Sequence, residues 1–423
     1  MDRRAFIAAL ASTAAGCGTA GGGSNPGERT VLYSAIDDKM TRFDVDVAAA
    51  TVTQRESVTL PSMVQYAWFH PSHRYVYAAT SDVSGGSAAG AGKMHRLCAL
   101  RVGIDGALTM HGEPQVLTSR PVNNSVDATG RYALTCYNNP ANLTVHRINA
   151  DGTLGANVAQ DANIDVGIFA HQIRTTPNNR SVILVTRGVD ASATGPEDPG
   201  ALKIFRFDAG RLSPLADIRV GGRGGLGYGP RHLDFHPARP WAYVVSERQN
   251  LLYMHWVQGD SLAPEPSFTM STLAGAQEQS ARQAAGAIHV HPNGRTVYVS
   301  NRASATVDFN GRKVLGTGEN NIAVYSIDPA SGKPTLIQHA EPQGFHIRTF
   351  TIDPSGRLLI AATMIEMLVR DGAGVRRVPA GLNLFGIGKD GRLAFIRKYD
   401  LEFPSSSAQQ LWVGMMTLPT RAG

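Results

Sequence analysis

The chain has 423 residues, 43% of them hydrophobic and 17% charged, so it can bury a sizeable core and is not intrinsically disordered. Its 45 glycines and 23 prolines exclude a coiled coil, and no apolar run of about 18 residues, the minimum for a transmembrane helix, follows the N-terminus. The net charge is +6. Because the lysines and arginines stand singly, no nucleic-acid surface is predicted, and a basic site for a small acidic molecule fits the charge.

Residues 1–28 have the pattern of an export segment. Arg3 and Arg4 precede a short apolar stretch over 5–15, which is too short to span a bilayer. The paired arginines followed by Phe6 are typical of a twin-arginine export signal. An uncleaved, unstructured N-terminus is the alternative. The pattern favours a periplasmic or cell-envelope location.

The three cysteines lead to separate expectations. Cys17 follows small residues that resemble a lipoprotein cleavage box, so it is a candidate lipidation site that would tether the protein to a membrane. Cys98 and Cys136 each lie in an apolar run and are expected to be buried. No cysteine or histidine spacing indicates a metal site, and no cofactor is predicted. After a flexible tether over 18–27, residues 29–423 are predicted to form a single domain, and we expect a monomer.

One segment recurs six times along the rest of the chain. Each copy consists of an apolar strand, a four-residue turn and a second apolar strand, which is the pattern of a β-hairpin. The copies are residues 70–80, 127–137, 176–186, 236–246, 291–301 and 353–363. The residue that opens each turn is called the anchor, and the anchors are Pro71, Ala128, Pro177, Pro237, Pro292 and Pro354. Two more polar strands follow each hairpin, and four strands at a period of 49 to 62 residues predict an all-β fold, a β-propeller with four-stranded blades.

The two ends of the repeat region complete each other. Residues 30–53 have the pattern of the later strands of a blade that lacks its first strand, and residues 410–418 form one further apolar strand. The sequence therefore predicts a seventh blade, closed jointly by the N- and C-terminal strands. Closing the ring in this way removes exposed strand edges.

The register of the repeat predicts which residues face each other. A residue six positions before an anchor and one ten positions after it lie at the same end of the hairpin. The first set is Gln65, Val122, His171, Arg231, Gly286 and Arg348. The second set is Ser81, Asn138, Arg187, Glu247, Arg302 and Met364. One histidine, four arginines and one glutamate at one end of a ring predict an anion-binding site with its own acid–base groups. A purely structural ion pair between Arg231 and Glu247 is the alternative for those two residues.

Three segments resemble a known family. GPRHLDFHPARPWAYVVSE (229–247), AIHVHPNGRTVYVSNR (287–302) and IRTFTIDPSGRLLIAAT (347–363) are similar to the lactonase family of seven-bladed propellers. That family includes 6-phosphogluconolactonases and fungal 3-carboxy-cis,cis-muconate lactonizing enzymes. The resemblance implies an active site of one histidine, two arginines and one glutamate, carried here by His171, Arg231, Glu247 and Arg302. The candidates for substrate binding around this set are Arg187, Asn301 and Arg348.

The expected function is that of a lactonase, which hydrolyses the ring ester of an anionic sugar-type or carboxylated lactone. Arg231 and Arg302 would hold the anionic group and polarise the carbonyl, and His171 or Glu247 would take the proton from water. The sequence leaves open which of these two is the base. It also leaves two other functions open: a muconate cycloisomerase that uses the same residues, and a non-catalytic envelope propeller that binds an anionic ligand or a protein partner.

Overall fold

The structure is a computed structural model, and it describes residues 29–83, 92–193, 195–221, 225–275 and 283–418. These residues form 34 antiparallel strands. Seven small sheets of four or five strands carry the fold, and two further hairpins stand apart from them. The predicted all-β, seven-bladed propeller is confirmed. Within the described ranges, no helix is long and apolar enough to cross a membrane.

The first half of the chain supplies three strands of the shared blade and then blades 1 to 3. The opening strands are β1 (Thr30–Ile36), β2 (Lys39–Asp46) and β3 (Thr51–Thr59). Blade 1 contains β4 (Met63–Phe69), β5 (Tyr75–Ser81), β6 (His95–Val102), β7 (Leu108–Met110) and β8 (Gln115–Val116). Blade 2 contains β9 (Pro121–Val126), β10 (Tyr132–Asn138), β11 (Ala141–Ile148) and β12 (Leu154–Asn157). Blade 3 contains β13 (Ala170–Thr175), β14 (Ser181–Thr186), β15 (Ala201–Asp208) and β16 (Arg211–Ile218).

Blades 4 to 6 follow. Blade 4 contains β17 (Pro230–Phe235), β18 (Trp241–Ser246), β19 (Leu251–Gln258), β20 (Ser261–Leu262) and β21 (Phe268–Ser271). Blade 5 begins with β22 (Ala284–Val290) and β23 (Thr296–Arg302), is interrupted by the hairpin β24 (Thr306–Phe309) and β25 (Arg312–Leu315), and ends with β26 (Ile322–Ile327) and β27 (Pro334–Ala340). Blade 6 begins with β28 (Ile347–Ile352) and β29 (Leu358–Thr363), is interrupted by the hairpin β30 (Met367–Asp371) and β31 (Gly374–Val378), and ends with β32 (Gly381–Ile387) and β33 (Leu393–Asp400).

The last strand, β34 (Gln410–Thr417), closes the ring. It pairs antiparallel with β1, from Thr30 opposite Thr417 onwards, so the seventh blade has the order β34-β1-β2-β3. The prediction that both ends of the chain share one blade is confirmed. The first strands β4, β9, β13, β17, β22, β28 and β34 each contact the first strand of the next blade, all the way round to β4 again.

The core lies between the blades. The buried apolar residues of the described chain form seven clusters, and each cluster is shared by two neighbouring blades. Cys98 and Cys136 are buried free thiols in two different clusters. Because every blade buries both of its faces against neighbours, the second strands are buried along almost their whole length, as in Trp241–Ser246.

Histidines at the turns link the blades by hydrogen bonds. The Nε2 atom of His70 lies 2.9 Å from the carbonyl oxygen of Gly130, and the same bond joins His236 to Gly294 and His291 to Gly356. Each of the three glycines has a φ near +71°. A side chain at these positions would therefore be strained and would also overlap the histidine ring.

This arrangement predicts a specific stability effect. We expect Gly294→Ala to lower the free energy of unfolding by about 1–3 kcal/mol more than Gly259→Ala, because the added methyl group would overlap the ring of His236. Gly259 is a matched control, since its φ is +60° and nothing lies within 4 Å of the added carbon. Urea unfolding of both variants measures the difference. Equal losses would show that a methyl group at residue 294 does not clash with the ring of His236.

Candidate active site

A β-bulge interrupts the first strand of every blade at the same place. In each case the pairing with the second strand skips a residue, or two residues in blade 5. The skipped residues are Gln65, Val122, His171, Arg231, 286–287, Arg348 and Leu411. Six of these positions are those that the repeat register selected six residues before each anchor. A bulge bends the strand and redirects its side chain. Polar residues can therefore leave the blade core at this one position.

The backbone just before the bulge is left-handed in three blades. Phe169, Gly229 and His346 have φ values of 57°, 50° and 59°, and each lies two residues before its bulge. Their carbonyl oxygens accept the backbone N–H groups of Arg187, Glu247 and Met364, at 2.9 to 3.1 Å. These bonds hold the bulge residue beside the residue that follows the second strand. A positive φ at phenylalanine or histidine costs conformational energy, and such residues cluster at functional sites.

One large cavity brings the predicted residues together. Its volume is about 800 Å³, and its lining includes His171, Arg187, Arg231, Glu247, Arg302 and Arg348. These residues come from blades 3 to 6. The loop after β14 contributes a wall through Val189 to Ser192. A cavity of this size is in the range that binds small molecules.

One of the predicted residues, Asn301, does not belong to the lining. Asn301 is fully buried in blade 5, where its Nδ2 donates to the carbonyl of Thr272 at 2.5 Å and to Oδ1 of Asn321 at 2.8 Å. These bonds fix the start of β26 against β23, so we assign Asn301 to the scaffold and no longer to substrate binding. Cys17 lies outside the described residues.

Glu247 is the centre of an ion network. Its Oε1 lies 2.8 Å from Nε of Arg187, and its Oε2 lies 2.8 Å from Nε of Arg231 and 3.0 Å from Nη2 of Arg302. Arg231 is 1% exposed, so its charge has little access to water. Burial by itself would raise the pKa of the Glu247 carboxyl, but Arg302, Arg231 and Arg187 outweigh it and lower this pKa to about 2. The carboxylate is therefore ionised at neutral pH, and both of its oxygens are engaged.

Two histidines line the same cavity in the neutral form. Burial, together with the charges of Arg231 and Arg348, lowers the pKa of His171 well below its usual value. Burial and the charges of Arg302 and Arg348 lower the pKa of His346 to about 3. The Nδ1 atoms of both rings are buried and have no hydrogen-bond partner among the described residues. The cavity thus holds two unprotonated imidazoles beside a cluster of guanidinium groups.

A third histidine, His232, packs against the ring of His171. The rings of His171 and His232 meet edge to face, with centroids 5.1 Å apart. His232 is buried beside Arg231, whose Nη1 lies 3.3 Å from its Nδ1. If that contact is a hydrogen bond, the guanidinium is the donor and Nδ1 the acceptor, which leaves the proton of His232 on Nε2.

Reading the sequence missed Arg120 and His346. Both line the cavity, and each lies two residues before a bulge, as do Phe169 and Gln409, which line it as well. The position two residues before the bulge is therefore a third ring of the site. The signal is present in the repeat register, because Arg120, Phe169 and His346 lie eight positions before their anchors. Nothing in the sequence marks the bulge that turns this position towards the cavity.

The side chains of the described ranges offer no metal centre. Across these ranges, no group of three or more histidine, cysteine, aspartate and glutamate side chains could hold a metal ion. His289 lies in β22 and His291 directly follows that strand, where its Nε2 lies 2.8 Å from the carbonyl oxygen of Gly356. The ionisable side chains that line the cavity are five arginines, two histidines, Asp190 and Glu247.

The buried histidines predict a pH dependence of stability. Burial lowers the pKa values of His171 and His232 well below 6.5, and those of His146 and His346 to about 4 and about 3. The unfolded chain binds protons at these sites below about pH 6.5, whereas the folded chain does not. Stability should therefore be fully present above about pH 6.5 and should fall by about 1.4 kcal/mol per pH unit for each such proton as the pH falls.

Urea unfolding at pH 7.5 and pH 5.0 checks this dependence. His232→Gln should reduce the slope, since it removes one of the protons taken up on unfolding. The carboxylate of Glu247 does not contribute in this window, because its stabilisation is lost only below about pH 4.5. An unfolding free energy that is the same at both pH values would contradict the buried, neutral state of these histidines.

Comparison with known proteins agrees with the fold. The family model "Lactonase, 7-bladed beta-propeller" matches residues 32–366. The chain is 27% identical over 314 residues to a 6-phosphogluconolactonase of Cronobacter sakazakii, which covers 74% of this chain and 80% of the relative. It is 26% identical over 264 residues to the 6-phosphogluconolactonase of Bacillus subtilis, over 61% of this chain and 67% of the relative.

Solved structures show the same fold. The periplasmic gluconolactonase of Pseudomonas aeruginosa superposes with a TM-score of 0.69 at 19% identity, over 92% of this chain and 100% of that one. A structure described as a putative 6-phosphogluconolactonase from Bacteroides uniformis gives a TM-score of 0.66 at 20% identity, over 92% and 99% of the two chains. With its repeat, its closed ring and a family match over most of its length, the chain belongs to the lactonase family of seven-bladed β-propellers.

Proposed function

We propose that the protein is a lactonase that hydrolyses the ring ester of a small acidic lactone in the cavity lined by His171, Arg231 and Arg302. The observation that carries this proposal is the ion network of Glu247 next to a neutral histidine in one cavity. Guanidinium groups can stabilise the negative charge that develops on the carbonyl oxygen, and a neutral imidazole can accept a proton from water. The family match and the names of the relatives support the same reaction class.

His171 is the better base of the two candidates. Glu247 has a pKa of about 2 and both its oxygens contact arginines, so it has little tendency to take a proton. His171 is unprotonated at neutral pH, although its lowered pKa makes it a weak base in the empty site. An anionic substrate would offset the arginine charges that lower this pKa. Binding would therefore move the pKa of His171 upwards, towards the value at which general base catalysis is effective.

The reaction then has two chemical steps, the attack of water and the opening of the ring. His171 takes a proton from a water molecule as the water oxygen attacks the lactone carbonyl carbon. Arg231 and Arg302 stabilise the oxyanion of the tetrahedral intermediate. The ring C–O bond breaks, and the proton passes from His171 to the leaving alkoxide. The product is the open-chain hydroxy acid, and Glu247 serves throughout to hold the guanidinium groups in place.

The substrate is proposed to be a sugar-type lactone with an acidic group. The lining of the cavity contains five arginines against two carboxylates, Asp190 and Glu247, so positive charge is in excess by three. The relatives in Cronobacter sakazakii and Bacillus subtilis are named for a phosphorylated sugar lactone, and the solved neighbour from Pseudomonas aeruginosa for gluconolactone. An excess of cations favours the acidic form of such a substrate.

The cellular location is proposed from the N-terminal sequence. We propose that residues 1–28 direct export to the periplasm or cell envelope, that Cys17 carries a lipid tether, and that residues 29–423 form one monomeric propeller domain. The solved neighbour from Pseudomonas aeruginosa is named as periplasmic, which supports this location. Fractionation of cells that express the full chain, with and without Cys17→Ser, tests it. A wild-type protein that stays in the cytoplasm would contradict export.

Product identification separates lactone hydrolysis from cycloisomerisation. A cycloisomerase would consume an open muconate and form a lactone, whereas a lactonase releases one proton for each ring opened. The full chain should therefore release acid from a sugar lactone and leave muconate absorbance unchanged. Loss of muconate absorbance without hydrolysis of any lactone would establish the isomerase instead.

A further inference from the structure

The arginines of the cavity fall into two groups. Arg187, Arg231 and Arg302 all lie within 3.0 Å of the Glu247 carboxylate. Arg120 and Arg348 line the same cavity but form no ion pair with any described carboxylate. Arg120 donates from Nε to Oε1 of Gln65 at 2.9 Å, which satisfies only one of its five N–H donors. Glu247 thus forms ion pairs with three of the five arginines and with neither Arg120 nor Arg348.

The uncompensated pair is held in place by the fold. Arg348 is a bulge residue of blade 6, and Arg120 lies two residues before the bulge of blade 2. Arg120 is 8% exposed, so more than nine-tenths of it is withdrawn from solvent. Burial, and then the charge of Arg120, lowers the pKa of Arg348 to about 9, so the two guanidinium groups repel each other and both remain cationic at neutral pH.

Such an arrangement is unfavourable in the empty protein. Like charges on a buried and a half-buried guanidinium, neither of them in an ion pair with a described carboxylate, cost free energy. A carboxylate or phosphate between them would offset it, because a guanidinium presents parallel N–H donors that match these groups. An anionic ligand is therefore what these two arginines are suited to bind.

We propose that Arg120 and Arg348 form an anion subsite that binds the acidic group of the substrate, while Arg231 and Arg302 act on the ring carbonyl. The inference rests on the proposed lactonase function. The two groups of arginines then have different roles, according to whether they contact Glu247. Those held by Glu247 are fixed for the reacting carbonyl, and those without a carboxylate select an acidic lactone over a neutral one. A terminal carboxylate and a terminal phosphate fit the same chemistry.

The kinetic test compares one lactone ring with three end groups. The substrates are glucono-δ-lactone, the same ring with a 6-phosphate and the same ring with a 6-carboxylate. The wild-type chain should have a higher kcat/KM for the acidic forms, and the form preferred most identifies the end group. Arg120→Gln and Arg348→Gln should each lower the acidic-to-neutral ratio by about tenfold or more, the loss expected for one charged hydrogen bond. Arg206→Gln, at an exposed arginine of blade 3, is the control and should keep the wild-type ratio.

A second measurement does not depend on activity. Inorganic phosphate, at matched ionic strength, should raise the melting temperature of the wild type and of Arg206→Gln, and should not raise that of Arg120→Gln/Arg348→Gln. Without phosphate, each single substitution should leave the melting temperature unchanged or raise it, since it removes one of two guanidinium groups that repel each other. If Arg120 and Arg348 served only the scaffold, replacing either of them would instead lower the melting temperature.

The outcomes separate the subsite from the reaction. Stabilisation by phosphate that is lost in the double variant supports the subsite even if no lactone is hydrolysed, and in that case the proposed function is the part that fails. Hydrolysis with an unchanged acidic-to-neutral ratio in both single variants would overturn the subsite and leave the lactonase standing. Equal stabilisation of the double variant and the wild type by phosphate would also overturn it.

Discussion

Replacing Glu247 by glutamine is expected to damage both stability and turnover. The substitution keeps the shape of the side chain but removes the charge that Arg187, Arg231 and Arg302 share. Breaking a buried ion network in this way leaves uncompensated charges and costs roughly 3–5 kcal/mol of unfolding free energy. The arginines would also lose the contacts that orient them, so we expect kcat/KM for lactone hydrolysis to fall by about 10²–10³-fold.

Glu265→Gln is the matched control for this experiment. Glu265 lies in the same blade, and its side chain is exposed. We expect its unfolding free energy to stay within about 0.5 kcal/mol of wild type, as for most surface substitutions. Urea unfolding and initial rates of acid release measure both effects. If Glu247→Gln were as stable and as active as Glu265→Gln, Glu247 would have no role in holding the arginines.

Replacing His171 by alanine is expected to lower kcat by about 10²–10⁴-fold, the usual contribution of a general base. KM should change much less, because the proposed anion contacts come from arginines and not from the imidazole. Steady-state kinetics on an acidic lactone, with the folded state checked by thermal unfolding, measures both parameters. A loss that appears only in KM would assign His171 to binding and not to proton transfer.

His346 provides the direct comparison. It lines the same cavity and is also neutral, since burial and Arg302 lower its pKa to about 3. His346→Asn keeps a residue type that tolerates the positive φ of this position. We expect it to lose less than about tenfold in kcat, well below the lower part of the general-base range. If the two effects were reversed, His346 would be the base.

Much of the fold could be predicted because it repeats. The anchors Pro237, Pro292 and Pro354 mark turns that recur at nearly constant spacing, and each turn fixes the register of its hairpin. Residues 30–53 lack the first strand of a blade and residues 410–418 form a single strand, so the sequence predicts that the two segments share one blade. The hairpins β24-β25 and β30-β31 were not foreseen, since they occur in two blades only and belong to no repeat. They touch through Arg370, whose guanidinium lies 4.5 Å from the ring of Phe309.

The site was predictable where one side chain sits at the repeated bulge. His171 and Arg231 occupy the bulge itself. They lie six positions before their anchors, so the repeat register predicts their position even though no sequence pattern marks the bulge. Asn301 shows the limit of that reasoning. It precedes Arg302 by one residue, and alternation along a strand turns its side chain into the blade, where it meets Asn321. Which arginines lack a carboxylate partner depends on contacts between blades, and no sequence pattern reports those.

The central claim is that this cavity opens lactone rings. The most direct measurement is acid release by the purified full chain from glucono-δ-lactone and its 6-phosphate, with His171→Ala and Arg231→Gln measured in parallel. The account predicts turnover by the wild type and a loss of at least about 10²-fold in both variants, the range for a general base and for a single oxyanion donor. Folded wild-type protein that opens neither lactone, or His171→Ala and Arg231→Gln variants that open them at the wild-type rate, would contradict it.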